Sequence, residues 1–392
     1  MNIIGTQKLL CTPILVVVIL LLSISLVECM KNDKKDRRKK VEDCDIFIGE
    51  WILDNQTHPL YKEDECEFLS QWSACLKNGR PDSLYQNWRW QPRDCSLPKF
   101  KAKRFLQELR GKKLMFVGDS IHINQWQSLV CLVQSAVSPS KKSVDYSGYP
   151  QVFRIQKYNV TIEFYWAPYL VESNVDPPEF RDGKTIGIIM SESIEKHGNN
   201  WKDADYLIFN SYAWWIKQPT VRVLQGSFEE GDTKYVEIER HVIFEKVLRT
   251  WANWVEDNID HKRTSIFFNS AAPEHYRSLD WNNPKGVNCA TETTPIPNTA
   301  TPIDVGTDRK IFTIAAEVVK SMKVKVNFLN ITTLSEYRKD AHPSVYILQG
   351  GKFLTPKQKS DPAKYADCVH WCIPGLPDTW NELLYAFIVP QS

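Results

Sequence analysis

Charge of one sign is what this sequence most lacks. Its 49 Lys and Arg residues stand against 47 Asp and Glu, a formal net charge of +2 over 392 residues. A protein that tracks nucleic-acid phosphates carries a marked basic excess, so no nucleic-acid partner is expected. Internal repeats are also missing, which sets aside solenoids and propellers. No Cys-x-x-Cys pair and no two histidines at ligand spacing occur. Although Cys368-x-His370-x-Cys372 is rich in ligand types, no metal is therefore expected. A glycine-rich phosphate cradle is absent too, so the residues themselves name no bound cofactor. The composition, 43% hydrophobic and 24% charged, is not that of a disordered chain. It can fill one large core with a small extra domain beside it.

Residues 9–27 contain no charged side chain, with Lys8 before them and Glu28 after. That is long enough to span a bilayer, as an anchor or as a long signal peptide. The basic residues between 31 and 40 read as a solvated stem, although positive-inside counting would place them on the cytosolic side. Asn55-Gln56-Thr57, Asn159-Val160-Thr161 and Asn330-Ile331-Thr332 are N-glycosylation acceptors, which points the body of the chain to the secretory lumen. Of ten cysteines, Cys11 and Cys29 belong to the apolar segment, leaving eight. An even number suits an oxidising compartment, and sequence alone leaves 105 pairings open.

The chemistry concentrates in two stretches. Residues 113–133 read as strand, tight turn and amphipathic helix, with Gly118-Asp119-Ser120 at the corner. A serine there is lifted off the carboxyl edge of a sheet and sits at the positive, N–H-rich end of a helix. Ser120 is thus placed like a nucleophile, with the plainer alternative that Asp119 or Ser120 only caps the helix. Near the other end, Asp367-Cys368-Val369-His370 sets an acid and a histidine three apart. Both can then face one serine, with His370 as general base and Asp367 fixing its tautomer. A second acid and histidine, Asp340 and His342, are rivals for the base role, and a lone His275 after an apolar strand is a candidate to bind substrate at the rim or to compete as the base.

Ser…Asp-x-x-His in that chain order resembles the GDSL/SGNH esterases. The blocks Val117-Gly118-Asp119-Ser120, Asn124-Gln125-Trp126-x-Ser128-Leu129-x-Cys131, Trp88-Arg89-Trp90-Gln91-Pro92 and Asp367-Cys368-x-His370-Trp371-Cys372-x-Pro374-Gly375 resemble more narrowly the plant trichome-birefringence-like proteins, which O-acetylate cell-wall polysaccharides. The resemblance runs from about residue 44 to residue 390. It implies a cytosolic tail, anchor and stem over 1–43, a small Cys/Trp-rich domain over 44–96 and a GDSL/SGNH-like domain over 97–392. It implies a single-pass type II protein of the Golgi membrane with its catalytic domain in the lumen. It further implies disulfides Cys44 with Cys95, Cys66 with Cys131, Cys75 with Cys372 and Cys289 with Cys368. The activity implied is acetyl transfer to a polysaccharide, most of all xylan at O-2 or O-3, from acetyl-CoA or an acetylated intermediate. A lumenal carbohydrate esterase and a non-catalytic polysaccharide binder are the alternatives. One departure is visible: where relatives carry arginine three residues past the nucleophile, this chain has Ile123, with His122 before it as a possible substitute.

Along the chain, Trp88, Arg89 and Trp90 are candidates to meet sugar rings, or else the core of a small disulfide-stapled unit. Residues 152–155 and 160–166 alternate like a hairpin. The strand at 205–210 ends in Asn210, which the resemblance to SGNH enzymes implies as the partner of the Ser120 amide in an oxyanion hole, a plain turn asparagine being the alternative. Trp214 and Trp215 follow as further candidates for substrate contact. A long amphipathic helix is expected over 237–259, a strand over 265–268 that leads to His275, a helix over 309–322 and a strand over 326–329. Strands alternating with helices predict a three-layer α/β sandwich on a mainly parallel sheet.

Overall fold

The computed structural model describes residues 44–176, 186–298 and 303–390. The expected membrane span and basic stem lie outside these residues. Among the described residues, no helix is long and apolar enough to cross a membrane.

Two antiparallel strands, β1 (Gly49–Leu53) and β2 (Trp88–Pro92), open the chain, with Trp51 opposite Trp90. Helix α1 (Ala102–Glu108) leads into β3 (Lys113–Gly118) and α2 (Ser120–Gln134). Then come β4 (Lys142–Asp145), β5 (Gln151–Ile155), β6 (Val160–Trp166), β7 (Ile188–Ile189), β8 (Tyr206–Phe209), β9 (Thr220–Leu224) and β10 (Tyr235–Glu239). Helix α3 (Arg240–Asn258), β11 (Ser265–Asn269), α4 (Arg309–Ser321), β12 (Val326–Leu329) and α5 (Leu376–Ile388) complete the frame. The main sheet runs β12-β11-β8-β3-β6-β5-β4. Pairing is parallel from β12 to β6, and the hairpin β5–β6 with β4 adds an antiparallel edge.

Burial on both faces explains the composition of β3, in which Leu114 to Val117 are all inaccessible. Phe267 and Phe268 on β11 show the layering, because successive side chains leave opposite faces of a strand. Phe267 meets Phe387 on α5, while Phe268 meets Trp251 on α3. Helices α1, α2 and α5 pack together on one face, and α3 packs against α4 on the other. The helix expected from 237 starts at Arg240, because residues 235–239 pair as β10 with β9, and Glu239 caps the helix by accepting from the amides of His241 and Val242.

Four disulfides join Cys44–Cys95, Cys66–Cys131, Cys75–Cys372 and Cys289–Cys368, the pairs that the resemblance implies. The first closes the amino-terminal segment on itself; the second and third tie it to α2 and to the loop before α5. Of the glycosylation acceptors, Asn55 and Asn159 are exposed and Asn330 is half-buried. Cys75–Cys372 joins residues 297 apart in sequence, against 51 for Cys44–Cys95. Replacing both cysteines of the longer link by alanine is expected to cost about 2–5 kcal/mol of stability. Thermal unfolding checks this, and a smaller loss than in the corresponding Cys44/Cys95 variant would contradict it.

Candidate active site

Asp119 makes the corner on which Ser120 sits. Its backbone is extended, one carboxylate oxygen accepts from the Ile121 amide and the other accepts from the Ala213 amide in the segment after β8. The helix start is thereby locked to the neighbouring strand's loop. Burial raises the Asp119 carboxyl above its ordinary range, while those amides and the nearby His370 charge oppose the rise. Gly118 is required for close approach: a Cβ there would stand 2.6 Å from the Asn210 carbonyl oxygen.

Ser120 Oγ lies 2.8 Å from His370 Nε2, and His370 Nδ1 lies 2.7 Å from Asp367 Oδ2. The other Asp367 oxygen accepts from the backbone amides of Val369 and His370, each at 3.0 Å. Burial would raise the Asp367 carboxyl, but the His370 charge and these hydrogen bonds outweigh it and hold the group well below the usual carboxylate range. An ionised Asp367 fixes the proton of His370 on Nδ1 and leaves Nε2 to take one from Ser120. The Ser120 amide, at the first turn of α2, takes no part in the capping done by Asp119, and so stays available for charge that develops on an oxyanion.

The triad opens into a cavity of about 780 Å³ walled by Trp72, Tyr146, Trp166, Trp214 and Tyr276, with Ile123, Gln127, Gln151, Lys217 and Glu274 between the rings. Trp72 packs its edge on His370 at 4.4 Å between ring centres. Lys217 holds its ammonium 3.3 Å from the centre of the Trp214 ring. Burial raises the Glu274 carboxyl, against the pull of Arg240. A cavity with flat rings, a carboxyl group and amides can grip a sugar by its faces and its hydroxyls together. Among the described residues, no cluster suited to a metal ion occurs.

Of the sequence candidates, Ser120, Asp367, His370 and Trp214 meet at this cavity, and others do not. Trp90 is buried against Trp51 and donates to the Ile46 carbonyl, while Arg89 is held by Asp54 and Gln91. Trp88 is half-buried on the same ribbon, and none of the three lines the cavity. The ribbon needs these rings as its own core. Trp215 is fully buried and donates to Ser211, and unlike Trp214 it does not reach the cavity wall. His275 is fully buried against His342 behind the catalytic loop, so its place after a strand does not bring it to the rim. Asn210 is buried beneath Gly118 with neither atom of its side-chain amide paired, and does not line the cavity. His122 points away as well: Nδ1 reaches the Val117 carbonyl and Nε2 reaches Asn269. It cannot replace the missing arginine, whereas Ile123 does face the cavity. Trp72, Tyr146, Tyr276 and Glu274 were not foreseen. Only Trp72 carried a sequence signal, its closeness to Cys75, which is disulfide-bonded to Cys372, two residues past His370.

Burial lowers the His122 imidazole to about 3. The folded chain thus keeps this ring neutral while the unfolded chain protonates it below about 6.5. Its contribution to stability is complete above that pH and is lost as pH falls toward 3. A His122→Asn variant is expected to unfold with a pH slope shallower by up to about 1.4 kcal/mol per unit across this window. Denaturant titrations at several pH values measure it, and equal slopes would refute it.

Residues 97–387 match the GDSL/SGNH-like acyl-esterase family found in Pmr5 and Cas1p, and residues 42–96 match the PMR5 N terminal domain. Curated relatives include Xylan O-acetyltransferase 6 of Oryza sativa subsp. japonica, 51% identical over 349 residues, 88% of this chain and 62% of that protein. Xylan O-acetyltransferase 3 of the same species is 48% identical over 350 residues, 89% of this chain and 76% of its own length. Protein trichome birefringence-like 3 of Arabidopsis thaliana is 43% identical over 347 residues, 88% of this chain and 80% of the relative.

Proposed function

The chain belongs to the GDSL/SGNH-like acyl-esterase family found in Pmr5 and Cas1p, and on that premise we propose that it transfers acetyl groups to hydroxyls of a plant cell-wall polysaccharide, xylan first, at O-2 or O-3 of xylosyl units. The observation that carries this reading is the unbroken relay from Ser120 through His370 to Asp367 at the mouth of an aromatic-walled cavity. Relatives named as xylan O-acetyltransferases support the choice of acceptor.

His370 Nε2 takes the Ser120 hydroxyl proton as Oγ bonds to the acetyl carbonyl carbon of the donor, either acetyl-CoA or an acetylated intermediate. The Ser120 amide meets the negative oxygen. The bond to the donor's leaving group breaks, that group departs with the proton held by His370, and acetyl-Ser120 remains. A sugar hydroxyl then gives its proton to His370 and attacks the ester, and Ser120 is released with its proton returned. Water in place of the sugar gives hydrolysis by the same residues. The rings of Trp72, Tyr146 and Tyr276, which keep exposed area at the cavity, favour the sugar by stacking on its faces and displacing water. In this reading residues 1–43 supply a tail, anchor and stem, and the catalytic domain works in the Golgi lumen.

The full chain from a secretory host, given deacetylated xylo-oligosaccharide and an acetyl donor, is expected to add acetyl mass to the sugar, with activity lost in Ser120→Ala. Release of acetate without transfer would identify an esterase instead, and full activity in the alanine variant would discard the triad. Because Ile123 faces the cavity without charge, Ile123→Arg is expected to raise the transfer rate, by up to about tenfold if the cation stabilises the oxyanion by 1.4 kcal/mol. An unchanged rate would show that the apolar residue costs this enzyme nothing.

A further inference from the structure

Behind the catalytic loop, His275 and His342 are fully buried and meet ring to ring, with His275 Nδ1 2.7 Å from His342 Nε2. At the outer ends, His275 Nε2 lies 2.9 Å from the Glu336 carbonyl oxygen, and His342 Nδ1 lies 2.7 Å from the carbonyl oxygen of His370. The line therefore begins and ends on acceptors. A carbonyl has no proton to give, so each outer nitrogen must carry one, and the central N···N contact needs a third. Two neutral imidazoles hold only two. Turning either ring over does not help, because it sets carbon atoms against the carbonyl and the partner ring.

We propose that His275 and His342 share one extra proton, and that this imidazolium–imidazole pair positions the catalytic base by donating to the backbone carbonyl of His370. This rests on the reading of His370 as the base. His342 and His275 are positioning residues, since neither lines the cavity. The surroundings supply both signs. Asp367 favours charge on His342 and Glu292 favours it on His275, while Arg80, Arg338 and Lys339 oppose it. Burial is the largest influence and sets both imidazoles below their ordinary range, His275 to about 4. The third proton is thus demanded by the geometry of the line and not by its electrostatics, and mutual repulsion excludes a further proton from the pair. Trp371 offers its ring face to His342, at 3.9 Å between centres and 27° between planes, an arrangement that attracts a cation. Backbone bonds complete the clamp: the His275 amide donates to the Cys368 carbonyl, and the Cys372 amide donates to the Ala341 carbonyl. Loss of the shared proton at high pH leaves one contact of the line with two facing lone pairs, and the loop that carries His370 must move.

The test pairs a spectrum with kinetics. In the full chain labelled with ¹⁵N-histidine, NMR between about pH 5 and 9 is expected to show one ring pair with imidazolium character and a strongly deshielded shared proton. Two neutral rings throughout would overturn the proposal, whether or not the protein transfers acetyl groups. In the transfer assay, His342→Gln keeps N–H donors without a titrating charge. It is expected to hold kcat within about tenfold of wild type and to lose the alkaline fall in kcat, with KM little changed. His342→Ala is expected to lose kcat at every pH. A glutamine variant with the wild-type alkaline limb would also overturn the proposal, because a merely structural histidine would leave that limb in place.

Discussion

In the proposed reaction, catalytic geometry depends on holding a loop still. Ser120 rides on the first turn of a helix, but His370 and Asp367 lie on a segment with no secondary structure of its own beyond a single bridge between Ser344 and Asp367. That segment is fastened from both sides of the base. Cys368 is bonded to Cys289 and Cys372 to Cys75, and the Ile373 amide donates to the Ser73 carbonyl. A relay such as Ser120 to His370 tolerates little displacement, and misplacing a reacting group by about 1 Å can cost two orders of magnitude in rate. Covalent links to two separate parts of the chain are a direct way of removing that freedom.

The amino-terminal segment therefore helps to hold the loop that carries Asp367 and His370. Arg80 donates to the carbonyls of Asp340 and His342, Arg338 pairs with Asp340 and donates to the Tyr85 carbonyl, and the Trp51 indole donates to the Leu334 carbonyl. Buried guanidinium groups are stable only when nearly every donor finds an acceptor, and these do so across the junction between the segments. Trp72, from the same segment, then completes the wall beside His370. The segment acts by contact with the loop, while the tryptophans of its ribbon, Trp51 and Trp90, serve its own packing.

What was legible in the sequence was what is local. The strand, turn and helix around Ser120 declare themselves through an apolar run, a glycine and an amphipathic repeat, and Asp367 and His370 lie three residues apart with two cysteines beside them. The parallel sheet follows from the alternation of its parts. Long-range pairing was not legible. Nothing near Trp90 says that its ring meets Trp51, and nothing near His275 says that its imidazole meets His342 from residues 67 apart. Residues 237–239 illustrate the same limit, since their helical pattern yields to pairing with β9. Tyr146 and Tyr276 reach the cavity from loops, whose courses no periodicity encodes.

On the proposed reading, the triad cannot by itself decide what an acetyl group is given to. Water and a sugar hydroxyl would use the same base and meet the same oxyanion donors, so the choice falls to groups that act before the attack. In this chain those groups are mainly apolar. Ile123 places a branched hydrocarbon in the cavity wall, and Trp166 and Trp214 are nearly closed to solvent along its side. Water held there finds few partners, whereas a pyranose can stack its faces on rings and direct its hydroxyls to Gln127, Gln151 and Glu274. In the proposed reaction, Ile123 offers the charged intermediate no cation and gives the acceptor an apolar wall, so one residue bears on both steps.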